Sequence, residues 1–247
     1  MAAVTTLLTT EGLSRYFGGL RAVDDVSFSL QEGEIRAIIG PNGAGKTTFV
    51  SLICGRVLPT SGRISFGGRD ISGLPAFKRV GLGIAYTFQI TSIFSNLTVF
   101  DNVALAVQNA MRRNGSGVRF DEREMTRRVA DALDPVGLSE RFDTKAGTLS
   151  YGHQRLLEVA MGLALTPKLL ILDEPTQGLS DAEIAGFCDL VRDIARDATV
   201  LLIEHNMDVV MDLAGRITVM NNGAILSEGT PDEIRADEAV QRAYLGT

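Results

Sequence analysis

Residues 40–48 read GPNGAGKTT, a spacing of glycines, lysine and threonines suited to one kind of chemistry, the holding of a phosphate chain. Gly40, Gly43 and Gly45 let backbone N–H groups turn inward and approach phosphate oxygens with no Cβ in the way. Asn42, Ala44 and Thr48 complete the loop. A helix that starts here points its positive end at the anion. Lys46 can set its ammonium against the β- and γ-phosphates, and the Thr47 hydroxyl can ligate Mg²⁺. The pattern carries this meaning between a strand and a helix, and the flanking IRAII and TTFVSLIC supply both.

A second, acidic element is needed for the metal. LLILDEP (169–175) provides it, with Asp173 at the C-terminal end of an apolar strand, where ligands sit in open α/β sheets. Asp173 would hold the magnesium, directly or through water, and Glu174 is suited to orient or deprotonate an attacking water. His205 ends the next apolar strand, TVLLIEH, and an imidazole on that same edge can donate to a γ-phosphate in the transition state. Gln89, in YTFQ, carries little signal on its own.

These groups need a scaffold, and the chain reads as one. Apolar strands alternate with helices, which predicts a largely parallel sheet covered on both faces. AVDDVSFSL reads as a strand, GRISFGGRDIS as a hairpin around Gly67 and Gly68, and RITVMNNGAILSEG as a second hairpin. Between Thr91 and Ala160 helical periodicity dominates, in VFDNVALAVQNAMRR and DEREMTRRVADALDPVGL, separated by the loop NGSG (114–117). Thr230, Pro231 and Glu233 make a capping box for a C-terminal helix.

Composition bounds the rest. The chain has 247 residues, 45% hydrophobic, with a net charge of −6 and acidic and basic residues interspersed. That argues against a nucleic-acid surface, which needs clustered Lys and Arg. Two cysteines, Cys54 and Cys188, show no metal-like spacing and are expected to be reduced. No signal peptide is expected at the start, and no apolar run nears the roughly 18 residues of a membrane helix.

The Walker A loop GPNGAGKTT, the Walker B strand LLILDEP, the Q-loop residue Gln89, the signature LSYGH (149–153) and the switch histidine His205 occur in one order. In this the chain resembles the ATP-binding cassette (ABC) ATPases, over essentially its whole length. The resemblance implies an α/β P-loop NTPase fold with a mostly parallel core sheet, an antiparallel β subdomain and a helical signature subdomain. It implies one domain, 1–247, with core and β parts at about 1–90 and 161–247 and the helical part at about 91–160. It also implies ATP hydrolysis with Mg²⁺, with Glu174, His205, Gln89 and Lys46 in catalysis and Thr47, Gln89 and Asp173 toward the metal. Phe17, in RYFGGLRAV, is implied to stack on adenine, although Tyr16 stands beside it.

In that family two ATPase subunits pack head to tail around two nucleotides. Ser150 and Gly152 of one copy would then face the γ-phosphate held by the other. One P-loop and one signature per chain therefore require a second copy or a paralogue. Three positions depart from the common pattern: Tyr151 and His153 in the signature, and Ser180 in GLSDAE. They leave the phosphate-facing groups intact and bear on hydrogen bonding across the interface.

FGGLRAVDDVSF, IFSNLTVFDNV, LSYG, IEHNMDVV and the ending AYLG resemble more narrowly the ATPase subunits of branched-chain amino acid importers. This implies two membrane permeases, a solute-binding protein outside the membrane, no nucleic acid, and a peripheral place on its cytoplasmic face. A permease helix would dock near Gln89, Ile93, Phe94 and Phe100. ATPases for urea or aromatic acids, or for lipopolysaccharide export, share much of the pattern. A soluble ATP-gated clamp is the competing class, and the chain shows none of the tandem cassettes or coiled coils that such clamps carry.

Overall fold

The structure, a computed structural model, describes residues 5–87, 92–113 and 121–245. Gln89 and the NGSG loop lie outside the described residues. Two long strands open the chain, β1 (Thr6–Phe17) and β2 (Leu20–Gln31), followed by β3 (Ile35–Ile39) and α1 (Lys46–Cys54). A hairpin of β4 (Ser61–Phe66) and β5 (Arg69–Asp70) leads through α2 (Ala76–Leu82) to β6 (Ile84–Thr87). Three helices follow: α3 (Val99–Arg113), α4 (Glu122–Leu133) and α5 (Tyr151–Ala164). Strand and helix then alternate as β7 (Leu169–Asp173), α6 (Asp181–Ile194), β8 (Thr199–Ile203) and α7 (Met207–Leu213). The last elements are β9 (Arg216–Asn221), β10 (Ala224–Gly229), α8 (Pro231–Ala236) and α9 (Glu238–Leu245).

The strands form an antiparallel sheet, β2-β1-β4-β5, and a second sheet of order β10-β9-β3-β8-β7-β6. In the second, β9, β3, β8, β7 and β6 run parallel and β10 pairs antiparallel with β9. Successive side chains of a strand point to opposite faces, so a strand covered on both sides must be apolar throughout. Strand β7 shows this directly. Leu169 and Ile171 join the core shared with β1, β2, β4 and α1, whereas Leu170 and Leu172 join the core built with α3 to α6. Ala37 and Ile39 of β3 pack under α7, α8 and α9 in a third core. The expected strands, hairpins and helices are present; β1, and α2 and β6, which are too short to show a period, were not anticipated.

Helix α1 is held at its far end by a buried cation. Arg79 of α2 is fully buried and donates to the carbonyls of Leu52, Ile53, Leu74 and Ser72 at 2.6 to 3.0 Å. These include orphan carbonyls at the C-terminus of α1, whose negative end favours a cation. Burial draws the guanidinium pKa down. Cys54 and Cys188 are free and buried, and burial pushes the Cys54 thiol up to about 12.

Arg79→Met keeps the bulk of the side chain and takes the guanidinium donors away from those carbonyls, of which Leu52 alone keeps the Gly55 N–H among the contacts described. It is expected to cost about 3 kcal/mol and to lower the melting temperature by about 6–12 °C. Thermal unfolding followed by circular dichroism measures this. An unchanged midpoint would show that α1 is anchored by packing alone.

Candidate functional site

The three parallel strands β3, β8 and β7 end on one edge, and the predicted site residues gather there. The loop after β3 is shaped by close backbone approach. Gly40 has φ 149°, and a Cβ on it would lie 2.1 Å from the Met220 carbonyl oxygen. Gly45 has φ 98°, and its Cβ would meet the Ala22 carbonyl at 2.3 Å. Thus these two glycines are required by β9 and β2 pressing on the loop, as well as by any anion. Gly43, Asn42 and Thr47 stand at the exposed rim, while Ala44 and Lys46 are buried and Gly45 and Thr48 half-buried.

Lys46 begins α1. Its Nζ donates to the carbonyls of Gly40 at 2.6 Å and Pro41 at 3.1 Å. Burial lowers its pKa, and the carboxylates of Glu174 and Asp173 act the other way. The ammonium is therefore held inside the loop, within the field of both acids.

Asp173 is 1% exposed. Its Oδ2 accepts from the Tyr86 hydroxyl at 2.7 Å, while Oδ1 is buried with no hydrogen-bond partner among the described residues. Burial pushes the carboxyl up against the pull of Tyr86, and burial and Asp173 together raise the Tyr86 phenol, which stays a donor. An orphaned, desolvated carboxylate oxygen is costly unless something binds it. With the Thr47 hydroxyl at the start of α1, it fits a hard cation such as Mg²⁺. Among the described residues no cluster of three or more His, Cys, Asp or Glu could hold a metal.

Glu174 adopts φ 49°, a left-handed backbone that costs a non-glycine residue about 1–3 kcal/mol and that collects at functional sites. Its N–H donates to the Ile203 carbonyl at 2.8 Å, and its Oε1 lies 2.7 Å from His205 Nε2. The carboxylate can only accept, so Nε2 carries the proton in this pair. Behind it sits a residue the sequence reading missed. Glu204, 3% exposed, accepts from the Thr176 N–H and hydroxyl and from the N–H groups of His205 and Asn206, at 2.5 to 3.1 Å. It ties the β7–α6 loop to the end of β8. An acid directly before a strand-end histidine was the available signal, and Tyr86 on β6 was equally unmarked.

Phe17 is 44% exposed at the end of β1. Tyr16 is committed elsewhere, donating its hydroxyl to Asp24 at 2.7 Å with Arg21 over its ring. Phe17 is the more exposed of the two, Tyr16 being half-buried, and the Arg15 guanidinium lies 4.4 Å from the Phe17 ring centre.

Ser150 and Gly152 are not brought to the loop of their own chain. No hydrogen bond or ion pair joins either of them to residues 40–48 among the described residues. Ser150 is instead the N-cap of α5. Gly152 packs on α6, where a Cβ would lie 2.5 Å from Glu183 Oε1. Tyr151 lies against Gly178, and Ser180 forms a capping box with Glu183 for α6. The three departures thus meet at one junction, and the S-x-x-E spacing of Ser180 and Glu183 could have shown the box beforehand. Deeper in α5, Arg155 pairs with Glu158 at 3.0 Å, both buried, and Glu158 accepts from the Ser92 N–H.

The family model described as ABC transporter matches residues 23–177, and the model described as Branched-chain amino acid ATP-binding cassette transporter matches 224–247. The high-affinity branched-chain amino acid transport ATP-binding protein LivG of Salmonella typhimurium is 41% identical, covering 97% of this chain and 98% of that one. BraF of Pseudomonas aeruginosa, named for the same transport, is 39% identical with the same coverage. The lipopolysaccharide export system ATP-binding protein LptB of Haemophilus influenzae is 34% identical over 98% of both chains. Among solved structures, the ADP conformation of MJ1267, an ATP-binding cassette of an ABC transporter, superposes with a TM-score of 0.87 at 30% identity, covering 98% of this chain and all of that one. The chain belongs to the ABC transporter family, as one of its ATP-hydrolysing cassette subunits.

Proposed function

We propose that this cassette drives an importer of branched-chain or other hydrophobic amino acids, docked on two permeases at the cytoplasmic face of the membrane and supplied by a solute-binding protein. The observation that carries this is the 41% identity to LivG over nearly both whole chains. An exporter role like that of LptB is the second reading, and the match of residues 224–247 to the branched-chain model favours the first. No helix of the described residues is long and apolar enough to cross a membrane, so the permeases must do the spanning.

In this reading Phe17 stacks on adenine and residues 40–48 cradle the phosphates, with Lys46 leaving its loop carbonyls for phosphate oxygens. Thr47, Asp173 and Gln89 would hold Mg²⁺, which would supply positive charge to neutralise that of the phosphates. Glu174 takes the proton of the attacking water on its carboxylate, with His205 at Oε1. Ser150 and Gly152 reach a γ-phosphate from a facing copy or paralogue, with the N-terminus of α5 adding its positive end.

The permease would dock beside the expected segment, with different residues at the surface. Ile93 and Phe100 pack into the helical core. Phe94 is 54% exposed, and its backbone is pinned through N–H and carbonyl by the buried Asn102. Nearby a cavity of about 330 Å³ opens between β6, α3 and α5, walled by Tyr86, Leu105, Ala106 and Met161. A short amphipathic helix suits such a groove.

Uptake of labelled leucine by proteoliposomes holding this subunit and its permeases tests the solute class; uptake of urea or an aromatic acid in its place would move the assignment. Glu174→Gln is expected to retain ATP binding and lose about 10²- to 10³-fold in kcat, and normal turnover would remove Glu174 as base. Lys46→Ala is expected to weaken ATP binding by roughly a hundredfold, since a charged donor to phosphate is lost. Phe94→Asp should leave the isolated subunit folded and active while reducing co-purification with the permeases. Unchanged co-purification would place docking elsewhere.

A further inference from the structure

Ser150 and His153 are joined in a way that bears on what Ser150 can offer a phosphate. Ser150 Oγ lies 2.8 Å from His153 Nδ1, and the His153 N–H approaches the same oxygen at 3.4 Å as the helix cap. A serine hydroxyl has one proton to give and two lone pairs to receive with. The cap uses one lone pair. If Nδ1 is bare, it takes the hydroxyl proton, and Ser150 has none left for an anion. If Nδ1 carries a proton, it donates into the second lone pair, and the hydroxyl proton must point outward.

We propose that His153 is a positioning residue for Ser150: its Nδ1–H fills the second lone pair of the hydroxyl and makes Ser150 an obligate donor to the γ-phosphate held by the facing copy. This rests on the two-copy site proposed above. From the facing helix α6, Glu183 presents a carboxylate held below its ordinary range by Ser180 and, more weakly, by His153. On its own helix the nearby cation, Arg155, is turned under the Tyr151 ring, 5.4 Å from its centre, and paired with Glu158. No glutamine at this position could gain a proton in the same way.

Histidine is the side chain whose charge changes between pH 5 and 8, so the effect is read as a pH dependence. The full-length Glu174→Gln protein, which retains ATP, provides the assay. The ATP concentration for half-maximal dimerisation is measured by analytical ultracentrifugation from pH 8.5 to 6.0, alone and with His153→Gln or Ser150→Ala added. His205 and the nucleotide are common to all three proteins, so the comparison isolates positions 150 and 153. Relative to the His153→Gln protein, the parent is expected to need about fivefold less ATP at pH 6.0, and to converge with it at pH 8.5. The Ser150→Ala protein should lose the same pH-dependent gain although His153 is present. Identical pH profiles for parent and His153→Gln overturn the proposal. A gain that persists in Ser150→Ala also overturns it, because the imidazole would then act without the hydroxyl. If the parent forms no ATP-driven dimer at any pH, the two-copy site itself fails and takes this proposal with it.

Discussion

Parallel pairing of β3, β8 and β7 is the constraint on which the site depends. Ile38 of β3 and Asp173 of β7 both register with Ile203 of β8, so the three strands end level. The loop before Lys46, the Asp173–Glu174 pair and His205 leave those ends together. A slip of one residue in β7 would turn Asp173 to the opposite face. The register is strongly fixed because both faces of β7 are covered, Leu170 and Leu172 on one and Leu169 and Ile171 on the other.

Polar groups buried at this edge do the local positioning. Glu204 collects four donors from the two loops it joins, and Tyr86 holds one oxygen of Asp173. A buried acid with its lone pairs filled gives a rigid arrangement, whereas one left bare is destabilising by roughly 1–3 kcal/mol or more. Among the described residues Oδ1 of Asp173 has no hydrogen-bond partner, and it has much to gain from a cation. The left-handed backbone of Glu174 persists for a related reason: its N–H is held by β8 and its carboxylate by His205.

The signature end of α5 is tied to two other regions. Toward α6 it meets Gly178 and Glu183 through Tyr151 and Gly152, with Ser180 fixing Glu183 in place. Farther along, the buried Arg155–Glu158 pair reaches the backbone of Ser92. Burial raises the Glu158 carboxyl, so this link relies on the N–H of Ser92 and the guanidinium to keep it charged.

The sequence by itself determined the chemistry and most of the scaffold. The glycine-lysine-threonine spacing of 40–48, the apolar run ending in Asp173 and Glu174, and the alternation of strand and helix are local properties, and local patterns are what a sequence displays. It also carried the capping box at Thr230, formed as expected. Only the tertiary structure decided which polar groups outside the motifs serve the site. Arg79, Glu204 and Tyr86 look like ordinary surface residues in a linear reading, and their partners lie on other elements. That Asp24 occupies the Tyr16 hydroxyl while Phe17 stands exposed likewise depends on what lies nearby in space, and the exposure of Phe94 but not Phe100 on which face packs against the helical core. Each of these is a matter of what lies opposite in space, which residue spacing along the chain does not encode.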